Sequence, residues 1–216
     1  MKQRFSARRE SLPFVVPQLS GAVRATAPSY IIAGLFGAAA VTPFNLIQRL
    51  LNFLSQPQQW LLDPLWSAYT DAASRRDEAW IRRALRLSLA ATLALAVLPL
   101  ASAVFWGPRF LEWWTAFPAS ALPARLLPWL VAWQIGLVLA QPFTIVLNGL
   151  GRMRGQMLYG PPCTAAGLAG MVWLGAEHGL GTACAPAALA TLLGNLPCAV
   201  FDARLALRRL ASWPVG

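Results

Sequence analysis

The sequence predicts an all-α integral membrane protein, a bundle of six transmembrane helices with both ends in the cytoplasm. Three observations predict it: 57% of the 216 residues are hydrophobic, only 12% are charged, and the charges fall in short bursts between long apolar runs. A soluble domain carries about 25% charged residues. A spanning helix needs roughly 20 largely apolar residues to cross about 30 Å of hydrocarbon, and only helices or closed barrels satisfy backbone hydrogen bonds in lipid. These runs are too long and too rich in Leu and Ala for barrel strands, which would alternate over about ten residues.

The apolar runs place the spans at Leu12–Leu35, Val41–Tyr69, Leu85–Trp106, Pro123–Leu147, Met157–Gly175 and Ala183–Phe201. Residues 1–11 then form a cytoplasmic N-terminal segment, 12–201 the bundle, and 202–216 a short basic cytoplasmic tail. The start, MKQRFSARRESLPFVV, has the look of a signal peptide, but no A-x-A-like cleavage site follows it, so it is expected to stay as the first helix. Phe36-Gly37-Ala38 makes a tight link between the first two spans. The stretch GPRFLEWWTAFPASALP after the third reads as an interfacial segment.

Charge sets the expected orientation. Lys2, Arg4, Arg8 and Arg9 precede the first span, and Arg75, Arg76, Arg82, Arg83 and Arg86 lie between the second and third. Arg152 and Arg154 separate the fourth from the fifth, and Arg204, Arg208 and Arg209 follow the sixth. Fourteen basic residues thus share one side, against Arg109 and Arg125 on the other. Positive charge near helix ends is kept in the cytoplasm. Trp106, Trp113, Trp114 and Trp129 would mark the far interface, with Trp66 and Trp80 at the near one. The net charge of +10 does not point to nucleic acid, because the basic residues lie between apolar runs and form no patch on a soluble fold. Cys163, Cys184 and Cys198 show no CxxC spacing and read as small packing residues, so neither a metal nor a disulfide framework is expected.

The candidate site is a polar stripe in the second span. Asn45, Arg49, Asn52, Gln56, Gln59 and Asp63 are spaced four, three, four, three and four apart, so they line one helix face. The fourth span carries Gln134, Gln141 and Asn148, seven apart, and the first carries Arg24. An ionised side chain at mid-bilayer costs about 2.5 kcal/mol or more, so Arg24, Arg49 and Asp63 should not face lipid. One reading is a water-accessible cavity lined by the first, second and fourth spans, with Arg49 the foremost contact for an anionic group. The other is interhelical glue, with amides bonding neighbouring helices and Arg24 paired to Asp63. Prolines such as Pro17, Pro28, Pro43, Pro57, Pro99, Pro142 and Pro197 would bend their helices, as in carriers. No H-x-x-x-H, G-x-S-x-G or P-loop is present, so no enzyme and no cofactor are expected. The single histidine, His178, reads as a loop surface residue beside Glu177.

Three stretches carry a family resemblance. PLWSAYTDAASRRDEAWIRRALRLSL (Pro64 to Leu89), LNGLGRMRGQ (Leu147 to Gln156) and HGLGTACAPAALATLLG (His178 to Gly194) resemble, in order and spacing, bacterial lipopolysaccharide and polysaccharide flippases. These belong to the multidrug/oligosaccharidyl-lipid/polysaccharide exporter superfamily, which includes the MATE drug exporters. Ser67 stands where the family often has proline. The resemblance covers only the second of that family's two six-helix bundles. It implies half of a transporter in the bacterial inner membrane that flips undecaprenyl-linked sugars by alternating access through a cationic cavity. Its partners would be membrane lipid, the lipid-linked sugar and a second six-helix bundle, from another chain or a second copy. Alternatives are half of a MATE-like drug exporter, a truncated non-transporting partner of a polysaccharide-synthesis complex, and a small membrane enzyme on lipid-linked substrates.

Overall fold

The protein, seen in a computed structural model, is described over residues 3–211; for residues 3–14, 17 and 211 only the helical backbone is described. The N-terminal charges at Arg4, Arg8 and Arg9 therefore lie outside the described side chains, and Lys2 and residues 212–216 lie outside the described chain. All secondary structure among the described residues is helical. The helices are α1 (Gln3–Phe36), α2 (Ala38–Leu62), α3 (Leu65–Ser74), α4 (Glu78–Thr115), α5 (Leu126–Gly149), α6 (Arg154–His178) and α7 (Ala185–Leu210). Of these, α4, α5 and α7 are long and apolar enough to cross a membrane. α1, α2 and α6 match them in length, with 34, 25 and 25 residues.

Each boundary has a local cause. Gly37 has φ 82° and ψ 169°, a backbone that L residues avoid, and it separates α1 from α2. The single span expected over Val41–Tyr69 is instead two helices, broken at Asp63–Pro64. Pro64 cannot donate to the ladder of α2, yet its fixed φ suits the start of α3. α4 begins at Glu78, a full two turns before the expected Leu85, because the Asp77 side chain accepts from the Trp80 N–H at 2.9 Å. It also runs on through Trp113 and Trp114, so these sit on its last turns and not on a separate interfacial segment. Ala116, at φ 55°, closes it. His178 is likewise the last residue of α6 and not a loop residue, with Nδ1 3.8 Å from a Glu177 carboxylate oxygen. α1 starts at Gln3 and carries helical structure through the segment expected to precede it.

Two helices contain a wide π turn, and both turns lie just before a proline. In α4 the π stretch is Leu93–Val97 and the proline is Pro99; in α7 it is Ala190–Asn195, before Pro197. A proline ring clashes with the carbonyl four residues earlier and supplies no N–H of its own. The wider turn relieves that clash and keeps both helices continuous.

The main core packs α1, α2, α4, α5, α6 through Met171, and the start of α7 around Phe44, Ile47, Leu50, Leu100, Leu126 and Leu130, all essentially buried. A second core at one end joins Leu62, Tyr69, Ile81, Leu85, Val146 and Leu207. It brings together the end of α2, all of α3, the start of α4 and the ends of α5 and α7. The arginine bursts at 75–86, 152–154 and 204–209 border the elements that meet there. Arg125 sits at the other end, where Gly181 packs against it. There Trp106 and Phe110 pack edge to face at 5.4 Å. Trp80, by contrast, packs on the buried Tyr69 at 5.6 Å.

Candidate functional site

A cavity of about 500 Å³ opens between α1, α2, α5 and α6, with Asn195 of α7 at its edge. α1 supplies Ser20 and Arg24, α2 supplies Gln48, Asn52 and Gln59, and α5 supplies Trp133, Gln134, Gln141 and Thr144. α6 adds Gln156, Tyr159 and Thr164. The lining is therefore rich in amides, and Arg24 is its one charged side chain among the described residues. Arg24 also borders a small adjoining hollow with Trp133, Cys163, Thr191 and Asn195. It makes no hydrogen bond and no ion pair among the described residues. A guanidinium can hold an oxyanion, and neutral amides beside it can donate to or accept from hydroxyl groups.

Of the residues singled out in the sequence, Arg24, Asn52, Gln59, Gln134 and Gln141 line this cavity. Asn45 does not: its Oδ1 accepts from the Ser29 hydroxyl at 3.1 Å, tying α2 to α1. Arg49 is exposed and Gln56 half-buried, both outside the lining. Asp63 follows the last turn of α2, exposed, in a shallow groove with Trp66, Ser67 and Thr70. It makes no ion pair with Arg24, which lies in the cavity. Asn148 is half-buried and accepts from the Gln156 amide at 3.1 Å.

The stripe divides because the cavity meets α2 off its centre. At about 100° per residue, Gln48, Asn52 and Gln59 cluster roughly 60° from the direction shared by Asn45, Arg49 and Gln56. The cavity takes the first set; the second faces α1 or the outside. A stripe read without its neighbours fixes which residues share a face but not the rotation of that face about the helix axis.

Several contributors went unread. Trp133, Gln156, Tyr159 and Asn195 line the cavity, and Tyr159 keeps a buried hydroxyl with no hydrogen-bond partner among the described residues. Gln156 and Asn195 carried a usable signal, as amides within otherwise apolar helices; Trp133 and Tyr159 carried none. Gln58, off the stripe, is fully buried and donates to the Thr92 hydroxyl and the Val138 carbonyl, each at 3.0 Å. It ties α2 to α4 and α5, while Gln134 donates to Ser55 Oγ at 3.1 Å one turn away. Gln58→Ala should lower the stability of the detergent-solubilised protein by about 1–3 kcal/mol, through two lost bonds and a void. A thermal-unfolding midpoint equal to wild type would show that these bonds add nothing.

The acidic residues near the α3–α4 turn have ordinary local roles. Asp71 pairs with Arg75 at 2.7 Å, Asp77 caps α4, and Glu78 pairs with Arg82. No group of His, Cys, Asp and Glu able to hold a metal ion is found among the described residues. Compared with known proteins, the chain matches no family model, no characterised sequence and no solved structure.

Proposed function

We propose that the chain is half of a membrane transporter that moves lipid-linked oligosaccharide across the bacterial inner membrane by alternating access. In this reading all six long helices span the bilayer, both ends are cytoplasmic, and a second six-helix bundle closes the open side of the cavity. The observation that carries it is Arg24: a cation without a partner among the described residues, in a cavity of about 500 Å³ whose other lining mixes amides, hydroxyls and an indole with aliphatic residues such as Leu51, Leu130 and Leu137. A diphosphate-linked sugar presents the complementary chemistry, with anionic oxygens for the guanidinium and hydroxyls for the amides. Three apolar helices of spanning length and arginines bordering one end of the bundle support the membrane placement. Arg49, exposed outside the cavity, and Asn52, exposed within its lining, are unsuited to lipid and support a covering partner.

A MATE-like drug exporter is the poorer match, since Arg24 would repel cationic drugs and no carboxylate lines the cavity among the described residues. The test is translocation in inverted membrane vesicles. Vesicles bearing the protein should move a lipid-linked oligosaccharide faster than vesicles lacking it. Equal rates, with the protein present and folded, would favour a non-transporting membrane partner.

A further inference from the structure

The arginines at the crowded end of the bundle are not evenly spread. α4 and α7 meet there, between Glu78–Thr92 and the last turns of α7, and Arg82 Nη2 donates to the Leu207 carbonyl at 3.4 Å. Arg82 also donates to Glu78, and Arg86 Nε reaches the Arg82 carbonyl at 3.4 Å. Glu78, the carboxylate at this contact, is thus already engaged. Arg86 on α4 and Arg204 and Arg208 on α7 are exposed around it.

The residues that continue these faces away from the arginines are apolar. On α4 the spacing Arg82, Arg86, Leu89, Leu93 keeps one face, and Leu93 is 50% exposed. On α7 the spacing Leu193, Pro197, Phe201, Arg204, Arg208 does the same, with Leu193 74% and Phe201 64% exposed. Each face therefore reads, from the end of the bundle inward, as cation and then bare hydrocarbon. That order matches one molecule of the bilayer, a phospholipid with an anionic headgroup and acyl chains.

We infer that the α4–α7 seam is a binding site for an anionic phospholipid, whose phosphate is held by Arg86, Arg204 and Arg208 while its chains lie against Leu93, Leu193 and Phe201. A zwitterionic lipid carries its own cation and gains little from these guanidiniums. Basic residues near the bilayer surface favour acidic lipid additively, and guanidinium forks fit phosphate in particular. The inference rests on the membrane-spanning reading but not on transport.

The test is native mass spectrometry of the full chain in detergent, titrated with phosphatidylglycerol or phosphatidylcholine of matched chains. Phosphatidylglycerol adducts should form at least tenfold more tightly, and the R86Q/R208Q double variant should lose about thirtyfold of that affinity. Arg82 is left intact in this variant, so the Leu207 contact survives. The R83Q/R154Q variant, with equal charge removed elsewhere at the same end, should stay within threefold of wild type. Equal binding of phosphatidylcholine, full binding by R86Q/R208Q, or equal loss in the R83Q/R154Q control would each overturn the site. Release of the chain from vesicles by alkaline carbonate would instead defeat the membrane-spanning reading itself.

Discussion

Replacing Arg24 with alanine is expected to slow translocation of lipid-linked oligosaccharide in inverted vesicles by about ten- to a hundredfold. That range is the worth of a hydrogen bond to a charged group, roughly 1.5–3 kcal/mol, expressed as a rate or affinity ratio. The variant should fold, because Arg24 bonds to no other described side chain and its removal leaves none unpaired. Arg24→Lys keeps the charge but loses the planar fork, so it should recover part of the activity and not all of it. Arg49→Ala supplies the contrast. Arg49 is exposed and outside the cavity, so its loss should change the rate less than threefold. Wild-type rates in Arg24→Ala at equal protein density would remove the guanidinium from the mechanism.

The largest expected loss of stability is at Gly149, the last residue of α5. A Cβ there would overlap Tyr69 Cβ and come within 3.2 Å of the Trp66 carbonyl oxygen. Tyr69 is 1% exposed and centres the packing of α3 on α4 and α5, so it has no free direction in which to retreat. Gly149→Val therefore forces α3 away from α5, and overpacking of this kind costs about 3 kcal/mol. The thermal midpoint in detergent should fall by roughly 6 °C or more. A midpoint unchanged from wild type would mean that α3 does not pack as closely on α5 as described here.

Much of the fold was legible because a bilayer leaves a coarse signature. Long apolar runs located each long helix, with an end up to nine residues out in α1, α4 and α7, and Gly37 was read as the link between α1 and α2. What escaped depends on partners the sequence does not display. The break at Asp63–Pro64 was hidden because a proline is equally at home bending one helix or opening the next. The early start of α4 depended on one cap, Asp77, that composition alone presents as just another loop carboxylate. The π turns before Pro99 and Pro197 were not read either, since the prolines that accompany them signal only a disturbed ladder.

The candidate site was legible to the same depth. Arg24, Asn52, Gln59, Gln134 and Gln141 line the cavity, as expected of polar residues within long apolar helices, whereas Arg49 and Asp63, read by the same rule, are exposed outside it. Arg49 was favoured over Arg24 because it sits between two asparagines, and that placement ignores the roughly 60° between the direction of Asn45, Arg49 and Gln56 and that of Gln48, Asn52 and Gln59, which the cavity takes. The contribution of α6 was missed for a different reason. Its glycines, alanines and prolines dilute any polar periodicity, so Gln156, Tyr159 and Thr164, spaced three and five apart, show no helical repeat.

The central claim is that water, and not lipid, reaches the space around Arg24. It is tested most directly by replacing Cys163, Cys184 and Cys198 with alanine and introducing single cysteines for labelling by a charged, membrane-impermeant thiol reagent in sealed vesicles. Arg24→Cys, Asn52→Cys and Gln141→Cys should react, while Phe53→Cys and Phe105→Cys, at positions 70% and 86% exposed on the outside of the bundle, should not. An inert cysteine at position 24 beside reactive ones at 53 and 105 would contradict it.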